Sequence, residues 1–289
     1  MLSTLVITLL LAFIGVEFIA PYAVLRPFRT NGTARPSNYG LQSSQLSVSS
    51  KDGAQLQGYW IEANTDTPRG IMMLVHGIGS CKEVWLPTAR DLADIGITTI
   101  VYDGRAHGQS DGPYCTYGYL ERHDIVAFVD HIKNRVPDLP VGIWGNSLGG
   151  AVAIQAMSID ARIQFGVIES TFTDLEQIVF EYKKRILKGI GIRFLSNRIL
   201  RKAGKIAGFP PEEVKPIESV QQVQQPIFLA HGDQDANINI KYGEALFEKL
   251  ASPDKTFYRV EGGGHSDLGA AGGSDYSAAI RHFIQRMCP

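Results

Sequence analysis

After residue 45 the chain alternates short apolar stretches with segments of helix length. Two stretches, QLSVSS and AQLQGYWIE, flank the pair Asp52-Gly53, which is typical of a tight hairpin turn. The later stretches suit strands that are buried on both faces: GIMMLV, TTIVY, PVGIWG, FGVIES, PIFLA and TFYRV. A hairpin followed by repeated strand–helix units predicts an α/β fold, with a mostly parallel eight-stranded sheet and helices on both faces. The predicted helices are 83–95, 122–135, 148–159, 240–250 and 276–287.

One connection is much longer than the others. Between FGVIES and PIFLA the chain runs through 171–225, which is too long for an ordinary connection between a strand and a helix. The segment looks helical and mixes apolar residues with many bases: Lys183, Lys184, Arg185, Lys188, Arg193, Arg198, Arg201, Lys202 and Lys205. We therefore expect a helical insert after the sixth strand.

The N-terminus is a long apolar stretch. Residues 5–20 carry a single charge, Glu17, and a weaker apolar stretch continues to Leu25, close to the roughly 20 residues that a membrane-spanning helix needs. The sequence therefore predicts a single-pass transmembrane anchor at 1–25, a polar linker at 26–44 and a globular domain at 45–289. Arg26, Arg29 and Arg35 follow the span and no base precedes it, which favours a cytoplasmic domain.

Two other interpretations of this stretch stay open. A cleaved signal peptide would export the protein, although the stretch lacks a basic start and the best cleavage position, after Ala20, has bulky Phe18 before it. A core helix is the other alternative, although core helices are rarely apolar on all faces.

Composition excludes several classes of protein. The net charge of −1 favours no binding to nucleic acid. The three cysteines, Cys81, Cys115 and Cys288, are too few and too widely spaced for a disulfide framework or a cysteine metal site. The chain has no H-E-x-x-H, no C-x-x-C and no phosphate-binding glycine loop, so we predict neither a metal nor a cofactor. Nothing in the sequence indicates the oligomeric state.

GNSLGG is the motif most suggestive of chemistry. Gly145, Ser147 and Gly149 have the spacing G-x-S-x-G, and they lie between a predicted strand and a predicted helix. This context makes Ser147 a candidate nucleophile, with the N–H groups of the helix start beneath it. A serine that merely caps the helix is the alternative.

A serine nucleophile needs a base, and the base needs an acid that orients it. The stretch HGDQD follows a predicted strand and offers Asp233 and Asp235 as acids. The stretch GGGHSDL follows the last strand and offers His265 as the base. In chain order the serine, the acid and the histidine each follow a predicted strand, which places them at one edge of the sheet.

The chain resembles the α/β-hydrolase superfamily over residues 45–287. The resemblance rests on HGIGS, YDGRAHGQSDG, GNSLGG, HGDQD and GGGHSDL, which occur in this order after predicted strands. Within the superfamily the chain is similar to the Bem46-like and lysophospholipase-like serine hydrolases, some of which have an N-terminal anchor, and IESTFTDL is a further similarity. The resemblance implies that the insert at about 171–225 is a cap over the active site.

The resemblance also implies roles for particular residues. The acid of the family corresponds to Asp235, with Asp233 and Glu169 as alternatives, and the backbone N–H groups of Ile78 and Leu148 correspond to an oxyanion hole. His76 is expected to hold its loop. The other polar set, Asp103, Arg105 and His107, is expected to form a structural turn, with a catalytic role as the alternative.

We therefore expect a serine hydrolase that cleaves carboxylic esters, including lipid acyl esters or thioesters, with Ser147, Asp235 and His265 as catalytic residues. A serine peptidase or amidase would use the same residues, and a perhydrolase or a membrane-tethered binding protein without catalysis are further interpretations. The expected partners are a small or lipid-like acyl substrate and a membrane. The bases of the cap either face an anionic membrane surface or form the solvated side of its helices.

Overall fold

The structure is a computed structural model that describes residues 14–186, 188–189 and 191–289. Its centre is an eight-stranded sheet with the order β1-β2-β4-β3-β5-β6-β7-β8, in which β1 and β2 run antiparallel to their neighbours and all other pairs are parallel. The strands are β1 Ser43–Ser49, β2 Gln55–Ile61, β3 Gly70–Val75, β4 Ile97–Tyr102, β5 Val141–Asn146, β6 Phe165–Glu169, β7 Ile227–Gly232 and β8 Lys255–Val260. The predicted mostly parallel sheet is confirmed.

The central strands are buried on both faces, as their unbroken apolar sequences predict. Along β3, Ile71 and Met73 belong to one hydrophobic cluster, whereas Met72 and Leu74 belong to the cluster on the opposite face. The helices that flank the sheet are α2 Leu86–Ala93, α3 Glu121–Arg135, α4 Leu148–Met157, α8 Lys241–Lys249 and α9 Leu268–Met287. The last helix begins earlier than predicted, because a first helical segment joins it across a kink at Gly273.

The insert at 171–225 is helical. Its main helices are α5 Leu175–Ile186 and α6 Arg193–Ala207, followed by the single turn α7 Pro216–Ser219. Helix α6 ends where Gly208 adopts a left-handed conformation, with φ of 71°, and two prolines follow it. The insert follows the carboxyl end of β6, and its buried residues Leu175, Ile178, Ile199 and Leu200 join the hydrophobic cluster on one face of the sheet.

The described part of the predicted anchor packs on the protein. Gly15–Ile19 forms one π-helical turn, and α1 Ala20–Leu25 continues it and packs against α6. Leu25 is fully buried. In the part of the chain that the structure describes, no helix is both long enough and apolar enough to cross a membrane. Residues 1–13 of the predicted anchor lie outside the described residues.

The stretch predicted as a linker, 26–44, is attached to the domain at several points. The guanidinium of Arg29 donates hydrogen bonds to the carbonyl oxygens of Ser110 at 2.7 Å and Gly112 at 3.0 Å. Leu41 is buried, and β1 begins at Ser43, inside the predicted linker. Residues 20–44 thus pack against the domain that follows them.

Candidate active site

Ser147 lies in the turn between β5 and α4. Its backbone has φ of 56° and ψ of −117°, a conformation that residues other than glycine rarely adopt. Two hydrogen bonds hold this turn: the Ser147 N–H donates to the Glu169 carbonyl at 2.9 Å, and the Thr171 hydroxyl donates to the Ser147 carbonyl at 2.7 Å. The strained turn presents the serine hydroxyl at the carboxyl edge of the sheet.

Two glycines let the strand and the helix meet at this turn. A Cβ on Gly145 would overlap the backbone of Gly149, and a Cβ on Gly149 would overlap the carbonyl of Val75. The small residues of G-x-S-x-G are therefore required by close packing around Ser147.

The predicted base and acid lie beside the serine. The Nε2 atom of His265 is 3.0 Å from the Ser147 hydroxyl oxygen, and its Nδ1 atom is 2.7 Å from a carboxylate oxygen of Asp235. The other carboxylate oxygen of Asp235 accepts the backbone N–H groups of Asn237 and Ile238, both at 2.8 Å. The structure thus connects three residues from three loops in one chain of hydrogen bonds.

The environment of Asp235 keeps its carboxyl ionised. Burial by itself raises the pKa of Asp235, but hydrogen bonds from His231, His265 and the Ile238 backbone outweigh burial and hold the pKa well below its usual value. An ionised carboxylate accepts the Nδ1–H of His265, which leaves Nε2 free to accept the serine proton. This is the tautomer that a general base requires.

The two alternative acids have other partners. Asp233 accepts the backbone N–H of Gly262 at 2.9 Å, and this supports the turn before His265. Glu169 is buried, accepts the indole N–H of Trp144 at 2.9 Å and accepts the Tyr276 hydroxyl. Burial raises the pKa of Glu169 above its usual value. Of the three candidate acids, Asp235 is the one that is hydrogen-bonded to His265.

The second polar set forms structural contacts away from the serine. Asp103 binds the ammonium of Lys82 at 2.7 Å, and Arg105 binds Asp124 at 2.6 Å. The ring of His107 donates to the Arg105 carbonyl at 2.9 Å. These contacts support the structural interpretation of YDGRAHGQSDG.

His76 holds the loop that carries Ile78. Its Nε2 accepts the Gly104 N–H at 3.0 Å, so its Nδ1 carries the proton that is donated to the Gly77 carbonyl at 2.8 Å. Burial lowers the pKa of His76 to about 4, which keeps the ring neutral. The loop lies against the serine, because a Cβ on Gly77 would stand 3.4 Å from the Cβ of Ser147.

The predicted oxyanion donors are available. Leu148 is the first residue of α4, where backbone N–H groups have no partner within the helix. Among the described residues, neither Leu148 nor Ile78 uses its N–H in a backbone hydrogen bond outside helices and strands. Ile78 lines the same cleft as Ser147.

Ser147 separates two cavities of different character. One, of about 460 Å³, is open and has a mixed lining, in which polar groups of His76, Ser80, Asn146, His265 and Ser266 stand beside apolar surface such as Val84 and Trp85. The other, of about 300 Å³, is almost entirely apolar and lies between α1, α4 and α5. Ile78, Ser147 and Tyr182 line both cavities. A substrate bound across the serine would meet a mixed surface with several hydrogen-bonding groups on one side and an almost entirely apolar surface on the other.

Sequence reasoning missed several residues of the apolar cavity. Ala20, Ala23 and Val24 contribute to its wall, although they belong to the stretch that the sequence predicts to be a membrane anchor. The sequence carries no signal for this placement, because an apolar segment has the same composition whether protein or lipid covers it.

Several known proteins are similar to this chain. Residues 66–206 match the family model described as serine aminopeptidase, S33. The uncharacterized protein YqkD of Bacillus subtilis is 25% identical over 252 residues, which cover 86% of this chain and 81% of that protein. The lysophosphatidylserine lipase ABHD12 of Mus musculus is 25% identical over 223 residues, which cover 73% of this chain and 53% of that protein.

A solved structure extends the similarity to the whole domain. The esterase Pf2001 of Pyrococcus furiosus is 22% identical to this chain and superposes with a TM-score of 0.77. The superposition covers 92% of this chain and 99% of that chain. The two proteins therefore share one fold from the hairpin to the last helix.

Proposed function

Because this chain belongs to the α/β-hydrolase superfamily, we propose that it is a serine hydrolase that cleaves carboxylic esters through an acyl-enzyme on Ser147. The observation that carries the proposal is the hydrogen-bond chain from the Ser147 hydroxyl through His265 to Asp235. Ser147 lies at the junction of a mixed and an apolar cavity. Fold similarity alone would not assign a reaction, so the proposal rests on this geometry.

Acylation begins when His265 removes the proton of the Ser147 hydroxyl. The serine oxygen attacks the ester carbonyl carbon, and the carbonyl oxygen becomes an oxyanion that accepts the N–H groups of Ile78 and Leu148. The loss of one such donor typically costs about 10²–10³ in rate. His265 then gives its proton to the departing alcohol, so the carbon–oxygen bond breaks and an acyl-serine remains.

Deacylation repeats these steps with water. His265 removes a proton from the water, the hydroxide oxygen attacks the acyl-serine, and the carboxylic acid leaves as Ser147 takes the proton back. Asp235 stays ionised throughout and stabilises the imidazolium of His265.

The two cavities indicate the kind of ester. The apolar cavity suits a fatty acyl chain, because each methylene removed from water contributes about 0.8 kcal/mol. The mixed cavity offers hydroxyl and amide groups of Ser80, Asn146 and Ser266 to a hydrophilic alcohol. The relatives that act on such molecules by name include the lysophosphatidylserine lipase ABHD12 and a human monoglyceride lipase, which is 32% identical over 98 residues. We propose an acyl ester of a polar alcohol as substrate.

Aminopeptidase activity is the alternative function that the description of the matching family suggests. An aminopeptidase needs an anionic group for the free ammonium of its substrate. Among the described residues, Glu169 is the acid that lines the mixed cavity, and its carboxyl group already accepts hydrogen bonds from Trp144 and Tyr276. The lining therefore favours an ester over a peptide with a free amino terminus.

Membrane attachment through the N-terminal stretch stays a prediction. Most of the candidate span, residues 1–13, lies outside the described residues. Sedimentation of the full-length protein with neutral and anionic lipid vesicles tests it, and weak binding to both would argue against attachment.

A fluorophosphonate probe tests the nucleophile, because it reacts covalently with activated serines. We expect stoichiometric labelling of the wild-type protein and none of Ser147→Ala. Ser80→Ala is the matched control, since Ser80 lines the same cavity without contacting His265. Labelling that persists in Ser147→Ala would disprove the proposed nucleophile.

A further inference from the structure

We infer that the segment before the hydrolase domain, residues 17–25, supplies one wall of the acyl-chain site through Ala20, Ala23 and Val24 and so sets the length of acyl chain that the enzyme accepts. The inference rests on the proposed ester hydrolase function and goes beyond it. It assigns a specificity role to residues whose composition resembles a membrane anchor.

The wall is built from small residues on one face of α1. Ala23 and Val24 follow Ala20 by three and four positions, so their side chains lie on the same side of the helix as that of Ala20. They line the apolar cavity together with Phe172, with residues of α5 and with Ser147. Two of the three wall residues are alanines, and their small side chains leave room in the cavity for a chain of methylenes.

Hydrogen bonds fix this wall to the domain. The hydroxyl of Tyr117 donates to the Val24 carbonyl at 2.6 Å, and the backbone N–H of Cys115 donates to the Leu25 carbonyl at 2.8 Å. Both carbonyls belong to the last turn of α1, where a helix leaves its carbonyl groups without partners. The domain therefore satisfies the end of this helix, and the wall has a defined position relative to Ser147.

An ionic clasp fixes the other end of the segment to the cap. One carboxylate oxygen of Glu17 accepts the Arg198 guanidinium at 2.6 Å, and the other accepts the Lys202 ammonium at 2.8 Å. Arg198 and Lys202 are four positions apart on α6 and so lie on one face of that helix. The segment thus forms ion pairs with two bases of the cap, and these ion pairs hold the wall against the cap.

Full-length variants test the wall through the acyl-chain profile. We compare wild type, Ala20→Phe and Ile19→Phe on p-nitrophenyl acetate, butyrate, octanoate and dodecanoate. Ile19→Phe is the matched control, because Ile19 is the preceding residue, is 63% exposed and does not line the cavity. In Ala20→Phe we expect kcat/KM for the long esters to fall about ten-fold or more, since the ring removes space for several methylenes, and kcat/KM for acetate to fall much less.

A second variant and a second readout keep the test independent of folding and of turnover. Val24→Ala enlarges the cavity, so its optimum is expected to move to longer chains. Binding of a fluorescent fatty acid should weaken in Ala20→Phe and stay unchanged in Ile19→Phe. A wild type that hydrolyses no ester would reject the proposed function but not the wall. Identical chain-length profiles and identical fatty acid binding in all variants would reject the wall.

Discussion

Ser147 and His265 are 118 positions apart in the chain, and their hydroxyl oxygen and Nε2 atom lie 3.0 Å apart. The first is held by a strained strand–helix turn, and the second is held by Asp235 in the neighbouring loop. Their meeting is a property of the parallel sheet, because β5 and β8 end at the same edge.

Asp235→Asn should lower kcat for p-nitrophenyl butyrate by about 10³–10⁴-fold, because an amide no longer stabilises the tautomer and the imidazolium of His265. Asp233→Asn makes the same chemical change two residues away, where the carboxylate binds only a backbone N–H, and it should retain most of its activity. The reverse ranking of the two variants in steady-state kinetics would move the acid to Asp233.

The apolar cavity predicts a steep dependence on acyl length. Since a methylene contributes about 0.8 kcal/mol on burial, kcat/KM should rise about four-fold for each carbon until the cavity is full. A series of p-nitrophenyl esters of even-numbered acids measures this. A flat profile from acetate to dodecanoate would mean that the chain does not enter the cavity.

Lys183 predicts a pH-dependent stability. It lines the apolar cavity, its ammonium has no hydrogen-bond partner within the described residues, and burial lowers its pKa to about 8. Below pH 8 Lys183 keeps its charge in the folded protein, and the burial of this charge lowers the stability. Between about pH 8 and the usual pKa of 10.5 the unfolded state holds more protons than the folded state, so the stability rises with pH. Lys183→Met should therefore be more stable than wild type at pH 7, and the difference should shrink towards pH 10.

Thermal unfolding at pH 7, 8, 9 and 10 checks this prediction. Lys184→Met is the matched control, because Lys184 is the exposed neighbour on the same helix and should show no such trend. A stability difference between Lys183→Met and wild type that is constant across this range would contradict the buried position of the ammonium.

Glu17→Gln should loosen the clasp between the N-terminal segment and α6. We expect a lower Tm and a selective loss of activity on long esters. High salt should reduce both differences from wild type, because Arg198 is half exposed and salt screens its ion pair with Glu17. Lys205→Met, an exposed change on the same helix, serves as the control. If Glu17→Gln and Lys205→Met behave alike in Tm and in chain-length preference, the clasp does not position the wall.

Gly149→Ala should destabilise the protein, since the new Cβ would overlap the Val75 carbonyl and force strand and helix apart. Such overpacking typically costs about 1–3 kcal/mol, and activity should fall with it because Ser147 moves. Gly269→Ala is the contrasting control: nothing lies within 4 Å of its Cβ position, so the change should be neutral or stabilise α9 by up to about 1 kcal/mol. Urea unfolding of both variants measures the difference.

Much of the fold and of the candidate site was predictable because the signals are local. Buried strands such as GIMMLV read as uninterrupted apolar stretches, and the glycines around Ser147 mark a turn that larger residues cannot make. The loops that carry Asp235 and His265 each follow a predicted strand. The start of α9 was placed too late, because the glycines around the kink at Gly273 hide the first helical segment.

The sequence by itself determined the parallel sheet, the turn that carries Ser147 and the place of His265 after the last strand. Apolar strand patterns and glycine spacing are local properties of the chain. The tertiary structure decided which acid meets His265, because the residues alone leave Asp233 and Asp235 open, the resemblance only favours Asp235, and the contact forms when loops from distant parts of the chain pack together. It also decided the place of residues 17–25. An apolar sequence shows that a segment avoids water, but only the packed structure shows what it contacts, and here residues 20–25 pack against α6 and line the apolar cavity beside Ser147.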